Sequence, residues 1–407
     1  MIEVIALAGM MAGSEPASGT RGRVSKAVQT GWDGERIATA THPGTGARLF
    51  VFIHSTRLGP ACGGTRMRVY PSIADAMADG MRLAAGMTRK NAVAGLPLGG
   101  GKAVIAVPEL PTGAARRDLF HRYGDLVNSL GGEFLTGVDM NTTPEDFDVM
   151  GDVSPYAFTR TAERGGSGDA SPYTALGVLH GIRASVERVF GSPDVGGRSV
   201  LVQGVGAVGS SLARLLTADG ARVGVSDLDG DRARAVAAEI GAAVVPAGSV
   251  LRIEADVLAP CAAGGLLNER SISTLGARVV AGSANNQLGT PEDADRLHRA
   301  GILYAPDYVI SAGGVLQAVG LDLLGWSADH VRRRVAGIGD TLREVYEMAR
   351  EHGTSTEAAA AALADRRLAE ASAGRESSRT QAPGHGPHRP DASGRNRSMK
   401  RGRRADG

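Results

Sequence analysis

Two lysines and an aspartate have residue types and a spacing that suit chemistry on a carbonyl group. Lys90 and Lys102 lie twelve residues apart in MTRKNAVAGLPLGGGKAVI, and Lys102 follows three consecutive glycines and precedes an apolar, strand-like run. The ammonium group of a lysine normally stays in water. A lysine placed between three glycines and an apolar run is therefore expected to contact a polar partner. Asp139 follows in LTGVDMNTT. On this segment alone the alternative stays open that the glycines form a surface turn and Lys102 points to solvent.

A glycine-rich turn farther along the chain indicates a dinucleotide site. The strand-like SVLVQ is followed by Gly204, Gly206 and Gly209, then by a helix-like run and a second strand-like run that ends at Asp227. The first glycine permits the turn, the second lets a pyrophosphate approach the backbone, and the third lets helix and strand pack closely. Asp227 can accept both ribose hydroxyls and would repel a 2′-phosphate, and no arginine follows it immediately. We therefore predict NAD rather than NADP; glycines that serve packing alone are the alternative.

A nicotinamide cofactor gives the charged residues a possible use. Hydride transfer between NAD and a carbon that bears nitrogen needs a cation to polarise a carbonyl, a group that shuttles protons, and a binding group for the substrate carboxylate. Lys90, Lys102 and Asp139 supply that set, and Asp139 is predicted to be the acid or base. Cys62 and Cys261 match no metal-binding spacing, so we expect no metal.

Strand-like and helix-like runs alternate along the chain and predict an α/β fold with two domains. Residues 32–155 are predicted to form an α/β substrate-binding and catalytic domain, and residues 174–328 a Rossmann domain that binds NAD. Residues 329–372 are predicted to be helices that return to the first domain. Residues 1–31, rich in small polar residues, and the basic tail 373–407 are predicted to be disordered.

Composition and charge bear on the protein's surroundings. The chain has 407 residues, of which 43% are hydrophobic and 22% charged, and it contains two cysteines and no long apolar run, which favours a cytoplasmic protein without membrane contact. From Arg375 onward the chain has nine Lys or Arg and three acidic residues. Nucleic-acid binding by this tail, in a catalytically silent NAD-binding protein, is a different-class alternative. The presence of Lys90, Lys102 and Asp139 argues against it.

Seven segments, in order, resemble the Glu/Leu/Phe/Val dehydrogenase family. They are GPACGGTRM, AAGMTRKNAVAGLPLGGGKAVI, TGVDMNT, VQGVGAVG, APCAAGG, AGSANNQL and YAPDYVISAGGV. Within the family the chain most resembles phenylalanine dehydrogenases, and leucine and valine dehydrogenases come next. The resemblance implies reversible NAD-dependent oxidative deamination of an L-amino acid to its 2-oxo acid and ammonia, in a cleft between two domains. It also implies a homo-oligomer.

The resemblance gives the three charged residues separate roles. It implies that Lys90 binds the substrate carboxylate, that Lys102 polarises the carbonyl or activates water, and that Asp139 shuttles protons to and from the amine. Four further residues are implied at the substrate site or at the nicotinamide end of the cofactor: Gly63, Gly64, Thr174 and Asn286.

Departures from the family pattern bear on the substrate. Cys62 stands where glutamate-specific members have a lysine, and Ala318 stands where they have a serine, so a second carboxylate would be buried without a partner. Cys62 is also smaller than the leucine typical of leucine and valine enzymes. We therefore expect an apolar substrate, phenylalanine first and a branched-chain amino acid next, in a pocket that includes Val315. Ser311 replaces the usual asparagine and has a shorter reach.

Overall fold

Two six-stranded sheets organise the chain. The structure, a computed structural model, describes residues 3–6, 32–262 and 264–380. The strands of the first sheet are β1 (Glu3–Ala6), β2 (Arg36–His42), β3 (Ala47–Ser55), β4 (Ala61–Arg68), β5 (Gly99–Ala106) and β6 (Phe134–Val138). They lie in the order β1-β2-β3-β5-β4-β6. The first three are antiparallel to their neighbours, whereas β5, β4 and β6 run parallel.

Helices cover both faces of this sheet. They are α1 (Ile73–Val93), α2 (Gly113–Asn128) and α3 (Pro144–Gly151). Helix α1 begins after Ser72, whose hydroxyl accepts a hydrogen bond from the Asp75 amide at 3.2 Å, an N-cap that satisfies one free N–H group. Its buried face packs on Phe50 and Phe52, while α2 packs on the opposite face. Strand β5 is consequently buried along its whole length.

The second sheet is a fully parallel Rossmann sheet. Its strands are β7 (Ser199–Gln203), β8 (Arg222–Ser226), β9 (Ala243–Val244), β10 (Ala255–Pro260), β11 (Ala277–Val280) and β12 (Leu303–Tyr304). The order is β12-β11-β10-β7-β8-β9, so the chain reverses direction across the sheet between β7 and β10. Ligands of such sheets bind at the carboxyl ends of the strands beside this reversal.

The helices of this half connect the strands and then return to the first domain. They are α4 (Ser171–Phe190), α5 (Ala207–Ala218), α6 (Gly230–Ile240), α7 (Glu269–Ile272), α8 (Asp293–Arg299), α9 (Asp307–Ile310), α10 (Gly313–Ala318), α11 (Ala328–Ala336), α12 (Ile338–His352) and α13 (Thr356–Thr380). Helix α13 packs on α1. The predicted α/β fold with a Rossmann domain and returning C-terminal helices is confirmed.

The structure differs from the sequence-based expectations at both chain ends. Residues Glu3–Ala6 form a strand that pairs antiparallel with β2, since the β-branched pair in EVIA suits an otherwise unpaired edge. Helix α13 continues to Thr380, past the expected end at 372, because its Ala-, Glu- and Arg-rich sequence favours helix. The other residues expected to be disordered, 1–2, 7–31 and 381–407, lie outside the described part of the chain. No helix within the described ranges has the length and apolar character needed to cross a membrane.

Candidate active site at the cleft between the domains

The three glycines before Lys102 belong to a strand. Gly99, Gly100 and Gly101 are the first residues of β5 and are buried, so the surface-turn alternative is wrong. A Cβ at Gly100 would lie 2.1 Å from the backbone nitrogen of Thr88, which shows how closely α1 approaches β5 there. That approach brings the end of α1, and with it Lys90, beside the start of β5 and Lys102.

Lys102 and Asp139 form a close ion pair in the first domain. Their Nζ and Oδ2 atoms lie 2.5 Å apart, with the lysine side chain 7% exposed. The Nε atom of Arg66 lies 3.4 Å from the same carboxylate oxygen. Burial works to raise the pKa of Asp139, but the charges of Lys102 and Arg66 outweigh it and lower that pKa to about 2. Asp139 is therefore ionised at neutral pH.

Lys90 lies on α1 and faces the Rossmann domain. Its Nζ atom is 3.5 Å from Oδ1 of Asn285, in the loop after β11. Burial lowers the pKa of Lys90, and the like charge of Lys102 adds to this, while Asp307 opposes it. The structure thus brings the two predicted lysines and Asp139 together at the edge of the cleft.

The adjacent glycines of β4 leave room for this pair. A Cβ at Gly63 would lie 1.9 Å from the Gly101 carbonyl oxygen. A Cβ at Gly64 would lie 2.7 Å from the Val138 carbonyl oxygen and 3.0 Å from Cβ of Asp139. Any side chain at position 64 would therefore displace the carboxylate that Lys102 contacts.

The residues expected around the substrate side chain are buried. Cys62 is fully buried in β4, and burial raises the pKa of its thiol to about 12, so the thiol is neutral. Ala318 and the partly buried Val315 belong to the same continuous apolar cluster as Cys62, although they come from α10. Ser311 is also buried, and its hydroxyl has no hydrogen-bond partner among the described residues. The hydroxyl is therefore available to a ligand or to water.

The glycine-rich turn between β7 and α5 fits a dinucleotide. Gly204 has φ 91°, and a Cβ there would lie 2.5 Å from Cβ of Ala262. A Cβ at Gly209 would lie 1.9 Å from the Gly204 carbonyl oxygen, so α5 packs directly on the turn. A Cβ at Gly206 would meet nothing within 4 Å, which leaves the space that a pyrophosphate needs. The α5 N-terminus supplies free N–H groups there.

Asp227 follows β8, where the pattern puts the ribose-binding carboxylate. It accepts hydrogen bonds from the backbone amides of Val205 at 2.8 Å and Asp229 at 2.9 Å. Nη1 of Arg232 also lies 3.6 Å from Oδ2 of this carboxylate. The sequence has no arginine directly after Asp227, so this contact was not predicted. A carboxylate at the end of β8 disfavours a 2′-phosphate by like charge, so the residues present fit NAD.

The two residues expected at the nicotinamide end lie on the Rossmann side of the cleft. Thr174, on α4, donates to the Ala170 carbonyl and lies against Gly314. Asn286, next to Asn285, accepts a 2.6 Å hydrogen bond from Arg82 of α1. Its backbone has a positive φ of 53°.

Sequence reasoning missed several residues that support the site. They are Arg66, Asp79, Arg82, Asn285 and Asp307. Arg66, Asn285 and Asp307 lie inside segments that carry the family resemblance, GPACGGTRM, AGSANNQL and YAPDYVISAGGV, which was the available signal. Within residues 32–262 and 264–380 there is no group of three or more His, Cys, Asp or Glu side chains that could hold a metal ion.

A Rossmann domain beside a lysine–aspartate pair on a second domain, in which the lysine is buried and the aspartate partly exposed, indicates a dinucleotide-dependent oxidoreductase. The comparisons with known proteins specify it further. The family model described as the Glu/Leu/Phe/Val dehydrogenase dimerisation domain matches residues 39–155, and the Glutamate/Leucine/Phenylalanine/Valine dehydrogenase model matches residues 165–234 and 232–375. The chain belongs to the Glu/Leu/Phe/Val dehydrogenase family, and the cofactor of that family is NAD(H).

Several named proteins are similar to this chain over most of their own length and most of its length. A leucine dehydrogenase of Geobacillus stearothermophilus is 39% identical over 83% of this chain and 91% of its own, and a valine dehydrogenase of Streptomyces albus is 41% identical over 84% and 94%. The crystal structure of an L-tryptophan dehydrogenase from Nostoc punctiforme superimposes with a TM-score of 0.73 at 38% identity, over 84% of this chain and 97% of that one. Phenylalanine dehydrogenases are no more similar to the chain than leucine and valine dehydrogenases are, so the expected closer resemblance to phenylalanine dehydrogenases is not found.

Proposed function

We propose that the protein catalyses the reversible NAD-dependent oxidative deamination of an apolar L-amino acid to its 2-oxo acid and ammonia. The observation that carries this proposal is the 2.5 Å pair of Lys102 and Asp139 beside Lys90, at a cleft that the Rossmann domain faces. A cation next to an ionised carboxylate suits a reaction in which charge develops on a carbonyl oxygen while an amine loses a proton.

Each charged residue has a distinct task in this proposal. Lys90 binds the substrate carboxylate, because burial removes hydration from its ammonium, which lies 3.5 Å from Asn285 of the Rossmann domain. Lys102 stabilises the negative charge that develops on the carbonyl oxygen, or activates the attacking water. Asp139 accepts a proton from the substrate ammonium and returns it in the reverse direction. When bound, NAD accepts the hydride from the α-carbon.

The ion pair with Lys102 also sets the pKa of the Asp139 carboxyl group, and with it the strength of Asp139 as a base. With Lys102 and Arg66 in contact, its pKa of about 2 makes it a weak base. When Lys102 turns toward the oxygen of a substrate, one of the two cations moves away, and the pKa of Asp139 rises toward the value of an ordinary carboxyl group. The carboxylate thus becomes a better proton acceptor only when a substrate oxygen is present.

The proposed substrate-binding residues are mostly small or apolar. Beside Lys90 they are Cys62, Gly63, Gly64, Ser311, Val315 and Ala318. A second carboxylate on the substrate would lose its hydration near the neutral Cys62 thiol and Ala318, at a cost of several kcal/mol. The small volumes at positions 62 and 318 favour L-phenylalanine as first choice. A branched-chain substrate, leucine or valine, is the alternative, because relatives named for those substrates are as similar to the chain.

The cofactor contacts proposed are the turn glycines, Asp227 at the ribose, and residues at the nicotinamide end. They are Gly204, Gly206, Gly209, Asp227, Thr174 and Asn286.

We also propose a homo-oligomer, since the family model that matches residues 39–155 is described as a dimerisation domain. Light scattering coupled to size exclusion tests this, and a monomer at micromolar concentration would contradict it.

The test of the function is NADH formation measured with each of the twenty L-amino acids and ammonia-dependent NADH oxidation with the matching 2-oxo acids. We expect activity with phenylalanine above leucine and valine, and none with glutamate. Lys102→Ala is the variant that tests the proposed role of the lysine in catalysis. It should lose about 10²- to 10⁴-fold in kcat while NADH binding, followed by fluorescence, persists. Inactivity of the folded protein on every apolar amino acid would refute the proposal.

A further inference from the structure

A row of charged side chains leads away from Asp139 along the first domain. Nε of Arg66 lies 3.4 Å from Asp139, and Nη1 of Arg66 lies 3.0 Å from Oδ2 of Asp79. The other oxygen of Asp79 accepts from Nη2 of Arg82 at 2.7 Å. Tyr70 also donates to Asp79 at 2.8 Å, so this carboxylate has three donors. Burial opposes the ionisation of Asp79, yet these donors lower its pKa, and it remains an anion between two guanidinium groups.

The row ends on the other domain. Arg82 uses Nη2 for Asp79 and Nη1 for Oδ1 of Asn286, at 2.6 Å. Arg66 lies on β4, Asp79 and Arg82 lie on α1, and only Asn286 belongs to the Rossmann domain. If the domains moved apart, the Arg82–Asn286 contact would break while the links of the row within the first domain could persist.

The partner of Arg82 is held rigidly within the Rossmann domain. Asn286 adopts a left-handed backbone conformation with φ 53°, and its carbonyl accepts from the Gly265 amide at 2.7 Å. The next amide, that of Gln287, donates to Asp307 at 2.9 Å. Because a guanidinium can only donate, its contact fixes which atom of the Asn286 amide is the oxygen. The two N–H donors of that amide are then left for another acceptor in the cleft.

We propose that Arg82 is a positioning residue that favours the closed cleft and orients the amide of Asn286, and so links closure to the charged row ending at Asp139. The proposal rests on the proposed function, since it concerns the same cleft. Arg82 itself touches neither the Lys102–Asp139 pair nor the glycine-rich turn in any described contact. Its effect is transmitted through Asp79 and Arg66 on one side and through Asn286 on the other.

The first test does not depend on activity. Hydrogen–deuterium exchange of the full chain without ligands should be faster over residues 284–289 in Arg82→Met than in the wild type, by about threefold or more. Arg214→Met is the matched control, because Arg214 is similarly exposed (47% against 52%) and pairs with Glu239 away from the cleft. Exchange over 284–289 that is unchanged in Arg82→Met would overturn the proposal, whatever substrate the enzyme uses. Arg82→Gln serves as the second variant should Arg82→Met fail to fold.

The second test uses steady-state kinetics with the best amino acid. If the substrate binds only the closed cleft, Arg82→Met should raise KM for the amino acid about tenfold, the effect of losing one charged hydrogen bond, and change kcat by less than about threefold. Asn286→Ala should raise the same KM about tenfold and, because Asn286 is also a proposed cofactor contact, should in addition raise the KM for NAD. The double variant should be no worse than the worse single variant, because both remove one contact. Effects that multiply in the double variant, or parallel losses in KM and kcat with a lowered Tm, would overturn the proposal. Absence of activity in the wild type would refute the proposed function instead.

Discussion

Small residues decide how the charged side chains of the site are arranged. The Lys102–Asp139 pair lies where neighbouring strands both carry glycines: Gly63 of β4 is next to Gly101 of β5, and Gly64 is next to Lys102. A Cβ at Gly101 would lie 2.8 Å from the Phe134 ring, and one at Gly64 would meet the backbone and side chain at Asp139. The glycines therefore keep the pair at contact distance without themselves contributing any polar group.

Gly64→Ala should damage the site more than the fold. Its Cβ would lie 2.7 Å from the Val138 carbonyl and 3.0 Å from Cβ of Asp139, so the carboxylate must shift from Lys102. We expect kcat to fall about 10²-fold, as for other misplaced catalytic groups, with a loss in unfolding free energy of about 1–3 kcal/mol. Steady-state kinetics and urea denaturation measure the two effects.

Gly86→Ala is the control for this substitution. Gly86 lies inside α1, about one turn after Arg82, and a Cβ there meets nothing within 4 Å. It should raise the unfolding free energy by about 0.5–1 kcal/mol and leave kcat unchanged. Equal kinetic effects of the two alanines would show that the space around Gly64 is not what matters.

Among the secondary-structure elements, those with a distinctive local sequence pattern could be predicted. The glycine spacing after SVLVQ and the acidic end of the next strand predicted the β7–α5–β8 unit, and the structure has it. The three glycines before Lys102 were ambiguous between a turn and a strand, because glycine has no side chain that would reveal burial. Only the packing of α1 on β5 resolves that ambiguity. The roles of Lys90, Lys102 and Asp139 stay predictions.

Helix α13 carries a carboxyl group in an unusual environment. Glu357, in its first turn, is partly buried, and this burial together with the nearby Asp307 raises its pKa to about 7 from an ordinary 4.5, although Arg89 opposes the shift. The folded chain therefore binds more protons here than the unfolded chain between about pH 4.5 and 7. Stability from this group is highest below that window and falls as the pH rises through it.

Glu357→Gln should remove this pH dependence. The variant should match the wild type near pH 4.5 and be more stable at pH 8 by about 2–3 kcal/mol, measured by urea denaturation. Glu370→Gln, on the same helix but with a side chain 69% exposed, is the control and should show no such pH-dependent difference. A stability difference between Glu357→Gln and the wild type that is the same at both pH values would contradict the assignment.

Over the whole molecule, the two domains share one apolar cluster and several polar contacts. The cluster includes Cys62 and Leu96 from the first domain and Val319 and Val331 from the second half of the chain. Such contacts join residues more than two hundred positions apart, so no local pattern reports them. The same reason explains why Arg82 was not predicted: it lies outside every segment that carries the family resemblance, and its partner Asn286 is 204 positions away along the chain.

The C-terminal end of α1 offers a test of these long-range contacts, because the C-terminal helices hydrogen-bond to it. Arg367 of α13 donates to two of its last carbonyl groups, that of Val93 at 2.6 Å and that of Ala92 at 3.2 Å, the latter of which also accepts from the Gly95 amide at 3.0 Å. Arg334 does the same for Ala94 and Gly95. Since α1 carries Lys90, the C-terminal helices hold the helix on which the proposed carboxylate-binding lysine lies.

Arg367→Met should therefore lower the free energy of unfolding by about 1–3 kcal/mol, because it leaves partly buried carbonyls without their charged donor. Calorimetry should also show the thermal transition broaden or split, as the first domain loses its link to the C-terminal helices. Arg366→Met is the matched control: the adjacent arginine is more exposed, pairs with Glu344 and Glu370, and should change stability by less than about 0.5 kcal/mol. Equal destabilisation by the two variants would mean that charge on α13, rather than the contact with α1, holds the domains together.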